Sequence, residues 1–260
     1  MQAICITCGT QYPATATRPA TCPICQDERQ YVNWNGQQWT TLADLQVRHR
    51  NVLREVEPPM TGIATEPAFA IGQRALLVQT PSGNVLWDCI SLIDQATIDA
   101  VNALGGIAAI AISHPHFYSS MVEWSRAFDA PIHLHADNRP FVMHPDLAIT
   151  YWAGETVTLL PGVTLIRCGG HFPGSTVLHW AEGAEGGGAL LTGDTIMVAQ
   201  DRRFVSFMYS YPNLLPLPAC RPWRMPITQT TRPCSPVCSR WPGSWKPAMP
   251  TPAATSGACP

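Results

Sequence analysis

The sequence predicts an α+β protein preceded by a small cysteine-bearing module. Three observations predict it. Short apolar runs of strand length alternate with proline and glycine turns in both halves of the chain. Two stretches with helical apolar spacing, 94–104 and 118–128, lie between them. Cys5-Ile6-Thr7-Cys8 and Cys22-Pro23-Ile24-Cys25 pair off near the start. A chain of 260 residues can hold one sizeable core and one small module.

The front module, residues 1–33, reads C-x2-C, thirteen residues, C-x2-C. Each C-x2-C turn offers two thiolates from one knuckle, and zinc takes four such ligands in a tetrahedron. Gly9 relieves the backbone as the chain leaves the first knuckle. So short a segment cannot fold on apolar burial alone, so a structural zinc at Cys5, Cys8, Cys22 and Cys25 is expected to stabilise it. The competing reading, redox dithiols, needs a thioredoxin-like strand and helix around one pair, and neither pair has them. Residues 34–60 read as a linker with a short helix capped by Thr40 or Thr41 and ended by Pro58-Pro59.

The main domain is expected over 61–218. Residues 74–80 and 85–89 flank the turn Pro81-Ser82-Gly83-Asn84 as a hairpin. The helical stretch 94–104 stops at Gly105-Gly106. The aliphatic run 107–112 reads as a buried strand that ends in Ser113-His114-Pro115-His116. Side chains two apart on a strand project to one side, and imidazole suits zinc, iron and copper. The bland alternative is a polar strand end with two unrelated histidines. Residues 131–135 read as another strand, ending in His133 and His135. The second half adds strands at 156–160, 163–168, 176–180 and 188–192, with Gly169-Gly170-His171-Phe172-Pro173-Gly174-Ser175 between two of them and Gly193-Asp194 after the last.

In that order, Leu86-Trp87-Asp88, His114-x-His116, Gly170-His171-Phe172-Pro173-Gly174-Ser175 and Leu191-Thr192-Gly193-Asp194 resemble the metallo-β-lactamase superfamily, in particular its glyoxalase-II-like hydrolases. The resemblance covers about residues 61–215. It implies an αββα sandwich with metal ligands on loops along one edge. His114, His116 and His171 would form the first metal site, and Asp194 would bridge or cap it. The family's loop continues with an aspartate and a histidine that serve a second metal. Tyr118 and Ser119 stand there instead, and no histidine occurs after His179. The chain therefore supports one catalytic-type ion, zinc or iron, and Asp88 would orient a ligand histidine.

Acids and bases divide unevenly. Residues 1–201 carry all eighteen acids and nine bases, a net −9, whereas the rest carries +7. The acidic body and near-zero total argue against a nucleic-acid partner. No apolar run is long enough for a membrane helix and no secretory signal is visible, so a cytoplasmic location is the default expectation. From 219 onward the text holds nine prolines, three tryptophans, four cysteines and no acid, a density of proline at which neither helix nor sheet can run. This tail is expected to be irregular, an incomplete or out-of-frame version of the family's last elements.

The leading functional expectation is a metal-dependent hydrolase of a small ester- or thioester-like substrate, with Asp194 and His171 as its catalytic groups. The alternative is a non-catalytic binding or regulatory protein on a degenerate scaffold, with the zinc ribbon recruiting a protein partner. A nuclease is disfavoured, because two metals usually clamp a phosphoryl transfer.

Overall fold

The computed structural model describes residues 2–30, 33–198, 205–208 and 210. The tail 219–260 lies outside them. The front module is a three-stranded antiparallel sheet of β1 (Gln2–Cys5), β2 (Gln11–Ala14) and β3 (Trp39–Thr40), in the order β2-β1-β3. A single turn of helix, α1 (Pro23–Gln26), opens on proline just after Cys22, where the missing N–H costs nothing. Because Cys5 pairs with Trp39 and Ile4 with Thr40, the module runs on to residue 40, past the expected boundary at 33.

α2 (Leu42–Arg48) is capped by Thr41, whose Oγ1 accepts from the Asp44 N–H at 3.2 Å. Beyond α2 the expected linker is corrected to sheet. β4 (Arg50–Glu57) is an edge strand, paired antiparallel with β5 (Met60–Glu66). Its charged residues Arg50, Arg54, Glu55 and Glu57 mask the strand pattern, and charge is what a sheet edge tolerates.

The body is a seven-stranded mixed sheet. β6 (Arg74–Val78) and β7 (Val85–Trp87) form the expected hairpin next to β5. β8 (Ala109–Ala111), β9 (Ile132–His135) and β10 (Ile149–Trp152) then add in parallel. Parallel neighbours need crossovers. α3 (Gln95–Ala103) and α4 (Met121–Phe128) supply the first two. The four-stranded antiparallel sheet comprises β11 (Thr156–Leu160), β12 (Val163–Arg167), β13 (Thr176–Trp180) and, after the one-turn α5 (Gly183–Gly186), β14 (Ala189–Leu191). β15 (Ile196–Val198) pairs with β16 (Val205–Phe207).

The period-two alternation of strands sorts side chains into two cores. In β6, Ala75 and Leu77 face the helices with Leu86, Ile110, Met121 and Trp124. Leu76 and Val78 face the other way, with Val85 and Trp87, onto Val163, Leu165, Leu178, Trp180 and Leu191 of the smaller sheet. Each fully buried aliphatic side chain contributes about 1.5–3 kcal/mol of transfer free energy. The layers are thus helix, sheet, sheet. Among the described residues, no helix longer than one turn comes after β10.

Candidate metal centres

β8 aims its C-terminal end at the first cluster. His114 continues the extended backbone, with φ −167° and ψ 172°. Pro115 then starts a 3-10 turn over Pro115–Phe117. His116 therefore comes to the cluster by a turn, and the expected strand alternation is not what brings the two rings together. His171 lies on the loop between β12 and β13. That loop closes on itself: Cys168 and Gly169 N–H donate to the Ser175 carbonyl, and Phe172 N–H donates to Ser175 Oγ at 2.8 Å. Gly169 and Gly170 take left-handed φ of 67° and 81°, which permits the tight path.

Asp194 comes after β14 through Gly193. A Cβ at Gly193 would lie 2.5 Å from Ser113 Oγ, so only glycine lets this loop come so close to the end of β8. His114, His116, His171 and Asp194 each offer one ligand atom, and these atoms all lie within 4.8 Å of one another. His171 Nε2 is 3.3 Å from His116 Nδ1, and His114 Nε2 is 3.4 Å from Asp194 Oδ2. Zinc–nitrogen bonds of about 2.0–2.1 Å imply edges of about 3.3–3.4 Å in a ligand tetrahedron. The donors therefore fit one ion.

The protonation pattern also fits. Ser113 Oγ donates to Asp88 Oδ1 at 2.7 Å and lies 2.8 Å from His114 Nδ1. Its single proton being so placed, it accepts from Nδ1–H. His114 Nε2 is then left with its lone pair toward the cluster, buried and without a hydrogen bond. Asp88 acts on the histidine through Ser113, and it also accepts from the Ser113 N–H at 2.8 Å. Burial pushes the Asp88 carboxyl up to about 7 against these two bonds. Burial holds His114 down at about 3, and it depresses His116 together with its histidine neighbours, so both rings are neutral as ligands must be. The three histidines are buried, whereas the Asp194 side chain is 28% exposed and forms the open side.

Other polar and titratable groups of the main domain take their own places. His135 caps its own strand end, accepting from the Asp137 N–H and lying 3.1 Å from the Gly154 carbonyl. His133 is half-buried in β9. Tyr118 and Ser119 are buried, and burial raises the Tyr118 phenol far above its usual range. Cys168 is partly buried at the end of β12, its thiol pushed up to about 12 by burial. Glu123 of α4 accepts from Gln2 Nε2 of the front module at 3.0 Å.

The cysteine cluster is equally close-set. Cys5, Cys8, Cys22 and Cys25 offer sulfurs within 4.8 Å of one another, with Cys5 to Cys25 at 3.5 Å and Cys8 to Cys22 at 3.6 Å. A zinc–sulfur bond of about 2.3 Å gives tetrahedral edges of about 3.8 Å, a small expansion from these spacings. The set is already supplied with donors. Gln37 Nε2 donates to Cys5 Sγ at 3.3 Å, and Tyr12 Oη to Cys22 Sγ at 3.1 Å. Hydrogen bonding from Cys22 lowers the Cys5 thiol and that from Cys25 lowers the Cys22 thiol, while hydrogen bonding with Cys22 raises Cys8 and Cys25, so two of the four sulfurs lean toward thiolate and two toward thiol.

No family model matches the chain. The uncharacterized protein YmaE of Bacillus subtilis (strain 168) is 55% identical over 220 residues, which cover 84% of this chain and 80% of that protein. The chain belongs to the YmaE family. Several solved structures are also similar to this YmaE-family chain. The di-iron-bound TTHA1623 shares 24% identity over 48% of this chain and 68% of its own, with a TM-score of 0.41. The DIM-1 metallo-β-lactamase shares 10% over 58% and 73%, with a TM-score of 0.48. An N-acyl homoserine lactone hydrolase shares 20% over 47% and 63%, with a TM-score of 0.38.

Two residues that no local sequence pattern marks connect the clusters. Gln73 Nε2 donates to the carbonyls of both Cys8, at 2.6 Å, and His116, at 3.0 Å. Arg29, forked onto Asp27, donates to the His171 carbonyl at 3.2 Å. Each joins stretches far apart in the chain, and no window of sequence contains both ends.

Proposed function

We propose that this YmaE-family chain is a metal-dependent hydrolase of small ester- or thioester-like molecules. One ion would be held by His114, His116, His171 and Asp194, and a structural zinc by Cys5, Cys8, Cys22 and Cys25. The observation that carries the reading is the close-set group of three buried histidines and Asp194, whose 3.3 and 3.4 Å spacings match one tetrahedral ion. An ion such as zinc supplies acidification of a bound water to a pKa of about 7 and polarisation of a carbonyl.

The chain's own groups do the rest. Asp88 and Ser113 fix the His114 tautomer. Asp194 is the exposed member of the set, and desolvation raises its carboxyl while His171 and His116 pull it down, which suits it to take up a proton beside a substrate. Three buried histidines leave approach to the Asp194 side. Among the described residues no further metal-capable group adjoins the four, in keeping with a single ion.

A second reading, a binding protein on the same scaffold, is favoured by the tyrosine and serine at 118 and 119. Two measurements decide between them. Metal content is taken on the full chain and on a variant with the four cysteines replaced. Turnover of simple esters and thioesters is taken with the intact chain and with His171→Ala. One metal retained in the cysteine variant, and turnover abolished by His171→Ala, supports the hydrolase. Equal background rates in both proteins support the binding reading.

A further inference from the structure

The front module is built into the wall of the histidine cluster. Gln73, buried at the entry to β6, spends both protons of its amide on one bridge, from the Cys8 knuckle to the backbone of His116. Beside it, Ser91 Oγ donates to the Gly9 carbonyl at 2.8 Å and Gln11 N–H donates to the Ser119 carbonyl. On the other flank, the Arg29 guanidinium lies 4.4 Å from the Phe172 ring centre and holds the His171 carbonyl. Phe172 in turn packs against all three histidine rings, with centroids 4.9–5.8 Å away. Phe141 touches both Phe172, at 5.0 Å, and the packed shell of the cysteine cluster.

We propose that these contacts couple the two clusters: filling the cysteine cluster fixes the Cys8 knuckle, Gln73 transmits that order to the His116 turn, and the histidine cluster binds its ion more tightly. Gln73 is the positioning residue of this coupling. The inference rests on the reading that each cluster takes a metal. Its physical basis is that an ion is held more tightly by ligands whose backbones are already fixed, and outer partners of metal ligands typically carry about 10–100-fold in affinity. Coupling between two binding equilibria is reciprocal, so the histidine cluster must act back on the cysteines by the same factor.

The experiment is a cobalt(II) titration of the full-length chain against a competing chelator. Thiolate-to-cobalt charge-transfer absorption reports the cysteine cluster, and ligand-field bands report the histidine cluster. Gln73→Met keeps the ligands and removes the bridge. It is expected to weaken cobalt binding at both clusters by a similar factor, about tenfold or more. Cys25→Ser is expected to weaken the histidine cluster likewise, and adding Gln73→Met to it should cost the histidine cluster nothing further. If Cys25→Ser does not fold, the two-sided loss in Gln73→Met carries the test. Unchanged affinities, or a loss at the histidine cluster alone, overturn the coupling and leave the hydrolase reading standing. Absence of cobalt from the histidine cluster of the unaltered chain overturns both.

Discussion

Ser113 donates its hydroxyl proton to Asp88 across 2.7 Å, and this bond decides which nitrogen of His114 faces the cluster. Ser113→Ala removes the acceptor for Nδ1–H but leaves the strand and the ligands in place. Metal affinity at the histidine cluster should fall by about 10–100-fold, in line with other losses of a ligand's hydrogen-bond partner. Competition with a chelator measures it, and an unchanged dissociation constant would show that packing alone orients the ring.

Gly193 combines a φ of 52° with a Cβ direction pointing into Ser113. Gly193→Ala therefore meets both backbone strain and a backbone-anchored neighbour. A destabilisation of about 1–3 kcal/mol is expected, together with displacement of Asp194 from the cluster. Urea denaturation and metal content read the two effects. A stable variant that retains its metal would mean the loop has room to yield.

Cys8 is wholly buried at the first knuckle. Cys8→Ser should remove one equivalent of metal and loosen the front module, because a segment of this size depends on its ion for stability. Limited proteolysis should then cut within the exposed stretch 14–18, which the intact chain protects better. Equal cleavage rates would refute a structural role for the ion.

His144 is held below its ordinary pKa by burial and by Arg126, against Glu123 and Asp146, and burial lowers His133 in the same direction. Linkage sets the sign. A histidine neutral in the fold and free to charge when unfolded stabilises the fold above the unfolded value of about 6.5, and that contribution is lost as pH falls below it. Tm should therefore drop as pH is lowered from about 6.5, and it should drop less in His144→Leu. Superimposable Tm profiles for the two proteins would remove His144 from the account.

Much of the sandwich is legible locally. The β6–β7 hairpin is written in two apolar runs around Pro81-Ser82-Gly83-Asn84, and α3 in its spacing and its glycine stop. β4 is not, because an edge strand pairs on one side only and its charges hide the period. The turn at Pro115–Phe117 is hidden too, since proline ends the extended backbone before His116 can continue the strand alternation that its spacing suggests.

The sequence by itself supplied the candidate ligands: four cysteines at knuckle spacing, the His114-x-His116 pair, and, through the family resemblance, His171 and Asp194 in glycine-bearing stretches. Residue chemistry and short-range spacing are local properties, and they survive without a fold. Only the tertiary structure decided what those residues lean on. The Asp88–Ser113 bond spans 25 positions, the Gln73 bridge reaches 65 positions to Cys8 and 43 to His116, and Arg29 reaches His171 across 142. Such pairings leave no period or motif, because they form only when strand pairing and the docking of the front module bring groups distant in the chain within hydrogen-bond reach.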